Sequence, residues 1–91
     1  MRTFIFTDKL VKVNRTYGGQ TREINVYRVV NNKPTWLVSG EYNTAGTSGD
    51  FGEANTLLVN GGHIPKAWSV NHRGTYGYYV HNDKYQILRV S

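Results

Sequence analysis

Only one stretch of this chain spaces its apolar residues for a helix. Phe51, Ala54, Leu57 and Leu58 fall on a single stripe of helical period. Asp50 stands at the expected N-cap, and Glu53 three residues later completes a capping-box pair. Asn60-Gly61-Gly62 offers the left-handed exit that glycine takes without strain, and Ile64-Pro65 cannot prolong the helix. A helix of about ten residues is marginal in water by itself, so it must dock on whatever the rest of the chain builds. The rest reads as strand: runs of Thr, Val, Tyr, Ile, Phe and Trp, cut by clusters of Gly and Asn.

Residues 2–14 form one long strand with a defect. Phe4 and Phe6 share a face, whereas Val11 and Val13 have the parity of Ile5, and an extra residue around Asp8-Lys9 would produce that switch as a β-bulge. Tyr17-Gly18-Gly19-Gln20 supplies a tight turn. Residues 21–30 follow, with Ile24 and Val26 on one side and Tyr27 and Val29 on the other, and Asn31-Asn32-Lys33-Pro34 turns the chain again. In 35–43 strict alternation sets Trp36, Val38, Gly40 and Tyr42 inward. After the helix at about 50–60, a strand is expected at 67–72 around Trp68 and Val70. A bend at Arg73-Gly74-Thr75 leads into 76–81, and His81-Asn82-Asp83-Lys84 turns into a last strand at 85–90. The expected fold is one α+β domain spanning 1–91, mostly antiparallel, of order β-β-β-α-β-β. Two architectures suit it: an open five-stranded sheet with the helix on one face, or a small OB-like, partly open barrel.

The composition removes several classes of activity. With no cysteine there is neither a disulfide nor a thiolate nucleophile, and a reducing cytoplasm is the expected compartment. Uninterrupted apolar runs reach two or three residues, so no membrane-spanning helix is expected. The glycine-rich stretch from Gly46 to Gly52 runs into the helix start but lacks the Gly-Lys-Ser/Thr of a phosphate-binding loop, and Asp50 and Glu53 would repel phosphate there. His63, His72 and His81 are spaced by nine, which matches no zinc pattern. No metal or cofactor is expected, and the chain reads as a binding protein rather than an enzyme. The one enzymatic alternative is metal-independent RNA cleavage, with His72, Arg73, Tyr76, Tyr79 and His81 brought together on adjacent strands as acid, base and cation.

The net charge of +5 is placed unevenly. Residues 1–34 hold seven cations against two acids, and residues 35–91 hold four of each. A one-sided basic surface attracts polyanions, although it also serves as an ordinary solvated face. Aromatic rings lie between these cations, and bases stack on such rings beside a cationic groove. Lys9, Lys12, Arg15, Tyr17, Arg22, Tyr27, Arg28 and Lys33 are therefore the candidate contacts for RNA or single-stranded DNA. The alternative is a protein-interaction module, a small accessory or inhibitor protein of the phage or mobile-element kind that blocks a nucleic-acid-handling machine. The same cations would then face an acidic partner surface. A second copy of the chain is a further candidate partner, paired through Tyr85–Val90 as an exposed edge strand whose charge is Arg89.

Overall fold

The computed structural model describes residues 2–16, 18–46, 49–66, 78–81 and 84–90, with 78–81 described as strand backbone. It shows an α+β fold in which one short helix packs on an open, mostly antiparallel sheet. The strands are β1 (Arg2–Val13), β2 (Gln20–Val30), β3 (Lys33–Asn43), β4 (Tyr78–His81) and β5 (Tyr85–Arg89), and the helix is α1 (Gly49–Asn60). The ladder runs β3-β2-β1-β5-β4. Its body is β3-β2-β1-β5, with the four-residue β4 lying outside β5.

The two hairpins of the N-terminal meander form because their turns carry residues that tolerate positive φ. Gly18 and Gly19 have φ of 72° and 71°, and Asn31 and Asn32 have 52° and 62°. The second pair forms a two-residue turn of the kind that matches strand twist, closed by Val30 opposite Lys33. Lys33 and Pro34, expected in the turn, therefore belong to β3. Proline is tolerated there because β3 is the outermost strand and presents one side to solvent.

The central connection is one that periodicity does not predict. β5 pairs with β1, in parallel, from Arg2 opposite Tyr85 to Phe6 opposite Arg89, and β4 pairs with its other side. The expectation that Tyr85–Val90 is an exposed edge is thus corrected: β5 lies inside the sheet. Arg89 is not an edge charge either. It reaches α1, where its guanidinium meets the Asp50 carboxylate at 2.9 Å. The ends of the ladder, β3 and β4, do not meet among the described residues, so the sheet is open there rather than closed as an OB-like barrel. The strand expected at 67–72, with Trp68 and Val70, lies outside the described residues.

α1 covers one sheet face. Phe4 and Phe6 of β1, Ile24 and Val26 of β2, and Tyr85 and Ile87 of β5 are buried against Ala54 and Leu58. Phe6 meets Phe51 edge to face at 5.1 Å, and Phe4 meets Tyr85 likewise at 6.1 Å. The buried Tyr85 hydroxyl donates to Asn55 Oδ1 at 2.7 Å, which satisfies both polar groups inside the core. Gly40 allows the close approach of helix to sheet, since a Cβ there would stand 2.7 Å from Leu57 Cδ2. The helix closes as expected, with Gly62 at φ 75° and the N–H groups of Gly61, Gly62 and His63 bonded back into the last turn. Its start differs in detail. Asp50 accepts from the N–H of Phe51 at 2.8 Å and anchors Arg89, so its carboxylate fixes the helix to β5. Among the described residues no helix is long and apolar enough to cross a membrane.

Candidate functional site

The sheet is longer than the helix that covers it. A twelve-residue helix spans about 18 Å, whereas a twelve-residue strand spans about 40 Å. The outer half of the β1–β2 hairpin, with the end of β3, therefore projects past the core. Three apolar side chains of β1 are left open there: Leu10 is 47% exposed, Val11 45% and Val13 60%. The parity switch expected near Asp8-Lys9 is present, but it falls between Leu10 and Lys12, leaving Val11 as the extra residue. Val11 and Val13 do not join the core because the core does not extend that far.

A polar cluster holds this projection together on its helix side. Asp8 of β1 is buried, its side chain 2% exposed, and it accepts from Arg22 Nε of β2 at 2.6 Å and from the Tyr42 hydroxyl of β3 at 2.8 Å. Arg22 also donates to Gln20 Oε1 at 3.0 Å. One carboxylate thus links three strands at the margin of the core, against which Tyr42 packs. The hydrogen bond to Asp8 raises the Arg22 pKa above its ordinary value. Burial, followed by the bond to Asp8, raises that of the Tyr42 phenol. At the tip, Gly19 is fixed both by its φ and by crowding. Thr44 Oγ1 accepts from Gln20 N at 2.8 Å, and Thr44 N donates to Gln20 O at 2.9 Å, which packs the exit of β3 against the turn.

The candidate contacts do not form one surface. Lys9 and Lys12 are exposed on the face opposite α1, and Arg15 is exposed in the turn beyond them. These three share the outer end of the hairpin, where Lys12 and Arg15 line a concavity of about 270 Å³ with Asn14. Arg22 faces the helix side and is held by Asp8. Arg28 is exposed on that same side, opposite Phe4, about 20 Å along β2 from Arg22. Lys33 closes the turn at the far end. Tyr17 lies outside the described residues, as do His72, Arg73 and Tyr76 and the side chains of Tyr79 and His81. Among the described residues the candidate cations thus lie as a group at the tip, an arginine paired with Asp8 and two distant cations.

Trp36 is a correction. Strict alternation puts it in the core with Val38, Gly40 and Tyr42. Instead β3 carries an extra residue, Leu37, because Val26 faces Val38 while Tyr27 faces Trp36. The bulge turns Trp36 to the face opposite α1, where it is 56% exposed and donates from Nε1 to Asn25 at 3.3 Å. Half-buried Tyr27 is its neighbour on that face. Between this ring pair and the tip cations lie Glu23 and Glu41, directly opposite one another, with Glu23 also facing Lys9. Two facing acids make that band of the sheet unfavourable for a phosphate chain.

The residues that sequence reasoning missed are Leu10, Val11 and Val13 as open surface, and the Asp8–Arg22–Tyr42 link. The length comparison given above was available as a signal for the first. Among the described residues no three His, Asp or Glu side chains are grouped to hold a metal ion. No family model, curated protein or solved structure matches the chain.

Proposed function

We propose that the chain is a non-enzymatic protein-binding module that docks the outer end of its β1–β2 hairpin on an acidic surface of a partner protein. The observation that carries this reading is the exposure of Leu10, Val11 and Val13 at the outer end of β1, with Leu10 and Val13 on the helix-side face, Lys9 and Lys12 on the other, and Arg15 beyond them. Large apolar side chains held open beside one another are a feature of contact surfaces, where burying them supplies the affinity and charge sets the approach. Asp8 does not offset the cations, because Arg22 already neutralises it. In its narrower form the partner handles nucleic acid, and this chain is an accessory or inhibitor of it.

Direct binding of single-stranded nucleic acid is the second reading, favoured by the exposed ring of Trp36 beside Tyr27. It ranks lower because Glu23 and Glu41 separate those rings from the tip cations, and because bases stack on rings rather than on Leu and Val.

Two variants separate the readings. Leu10→Ser with Val13→Ser keeps every cation, whereas Lys9→Gln, Lys12→Gln and Arg15→Gln together keep every apolar contact. The expected result is one stoichiometric protein partner that survives nuclease treatment and is lost with either variant. Steeply salt-dependent binding of a single-stranded oligonucleotide, unchanged by Leu10→Ser with Val13→Ser, would instead establish the nucleic-acid reading.

A further inference from the structure

We infer that the outer edge of β1, from Asp8 towards Val13, takes an extended acidic segment of a partner protein by strand addition. The inference rests on the protein-binding reading and specifies how the contact is made. On that side of β1, β5 follows only as far as Phe6, and the last ladder bond runs from Val90 N to Phe6 O at 3.0 Å. Because backbone direction alternates along a strand, the N–H and C=O of Asp8 and Leu10 point to the same side as those of Phe6. Among the described residues the N–H groups of Asp8 and Leu10 and the C=O of Leu10 pair with nothing, and the Asp8 C=O accepts a long contact from Arg22 Nη2 at 3.5 Å. The bulge at Val11 sets the outer limit of the regular edge. A strand entering in line with β5 would meet the outward groups of Asp8 and Leu10. Its alternate side chains would lie along Leu10 and Val13 on one face, and along Lys9 and Lys12 on the other.

Charge selects the occupant. Lysines on an edge ordinarily discourage pairing with like strands, and here they also repel a second copy of a chain carrying +5. The same lysines, with Arg15, attract an acidic strand. The other long edge, β3, is a poorer template for it. Pro34 lacks an N–H, Leu37 forms a bulge, and Glu41 faces Glu23 across the ladder. Backbone pairing supplies affinity in such contacts, and the flanking side chains supply specificity.

The test uses three synthetic peptides of strand length, about six residues each. One alternates Val and Glu, one has the same sequence with alternate backbone nitrogens methylated, and one alternates Val and Lys. Binding to the full chain is followed by amide chemical shifts and hydrogen exchange. The Val–Glu peptide should shift and protect the amides of Asp8 and Leu10. The methylated and Val–Lys peptides should bind at least roughly tenfold more weakly, the equivalent of one or two lost net hydrogen bonds. Leu10→Pro should give the same loss from the side of the chain, and the methylated peptide makes the point without altering the chain. Equal binding of the methylated and unmethylated peptides would overturn strand addition while leaving the protein-binding reading intact. Shifts confined to β3, or none at Asp8 and Leu10, would overturn the assignment to β1. If a single-stranded oligonucleotide perturbs Asp8–Val13 and the Val–Glu peptide does not, both readings fail.

Discussion

Substituting Tyr42 by Phe removes one oxygen from the cluster that stiffens the projecting hairpin. The hydroxyl donates to Asp8 Oδ2 at 2.8 Å, and Asp8 is buried. Hydrogen bonds to a charged acceptor contribute about 1.5–3 kcal/mol. Tyr42 is only half-buried, and solvent screens part of its interaction, so the lower end applies. Arg22 stays bonded to Oδ1, so the carboxylate is not left unpaired and the larger penalty of an isolated buried charge does not arise. The expected cost is therefore about 1.5 kcal/mol, or roughly 6–12 °C in Tm for a domain of this size. Thermal and urea unfolding followed by circular dichroism measures it. A double-mutant cycle with Asp8→Asn isolates the pair, because the coupling term should account for most of the Tyr42→Phe effect. Amide exchange should speed up in Gln20–Glu23 but not in Phe4–Phe6, whose support comes from the helix. A change within about 0.5 kcal/mol, or coupling near zero, would refute the claim that this cluster pins the outer hairpin.

Three shorter predictions follow from the same structure. Gly19→Ala should cost about 2–3 kcal/mol, because its φ is 71° and the new Cβ would stand 2.7 Å from Asn43 Oδ1 and 2.8 Å from Ala45 N. Gly18→Ala, with the same φ and nothing within 4 Å, should cost only about 1 kcal/mol in urea unfolding. In a Trp68→Phe variant Trp36 is the remaining tryptophan, and its emission should be red-shifted and readily quenched by acrylamide, whereas a blue-shifted, protected emission would return it to the core. The raised Tyr42 pKa has a signed consequence. As pH rises past 10.0, the ordinary value for tyrosine, the unfolded chain loses this proton while the folded chain keeps it. Stability should then fall, and Tyr42→Phe should flatten that part of the pH profile; an unchanged slope would contradict the assignment.

What was legible in the sequence is what short-range chemistry determines. The helix stripe at Phe51, Ala54, Leu57 and Leu58, its glycine exit and both hairpin turns follow from spacing and from residues that accept positive φ. Period two also sets Phe4 and Phe6, and Ile24 and Val26, on the buried face. Alternation fails wherever one extra residue enters a strand, since everything beyond it changes face. Leu37 does this to Trp36, and no residue type in 35–43 marks the site. At Val11 the switch was foreseen but placed early. Strand partners were not legible at all, because alternation reports faces and not neighbours. The parallel β1–β5 contact joins segments more than eighty positions apart in the chain, and it moves the free edge from Tyr85–Val90 to the outer half of β1. The candidate contacts dispersed for a related reason. Cations clustered in sequence spread along two faces and both ends of a long hairpin once it is folded.

The most direct test is hydrogen exchange at individual amides of the isolated chain in dilute buffer. If the projecting strand is reserved for a partner, Asp8 and Leu10 should exchange at nearly the rate of an open strand, while Ile5 and Tyr27, whose N–H groups point into the β1–β2 ladder, are protected by orders of magnitude. Strong protection at Asp8 and Leu10 in the absence of any partner would mean that this edge is already filled, and the docking surface would not exist.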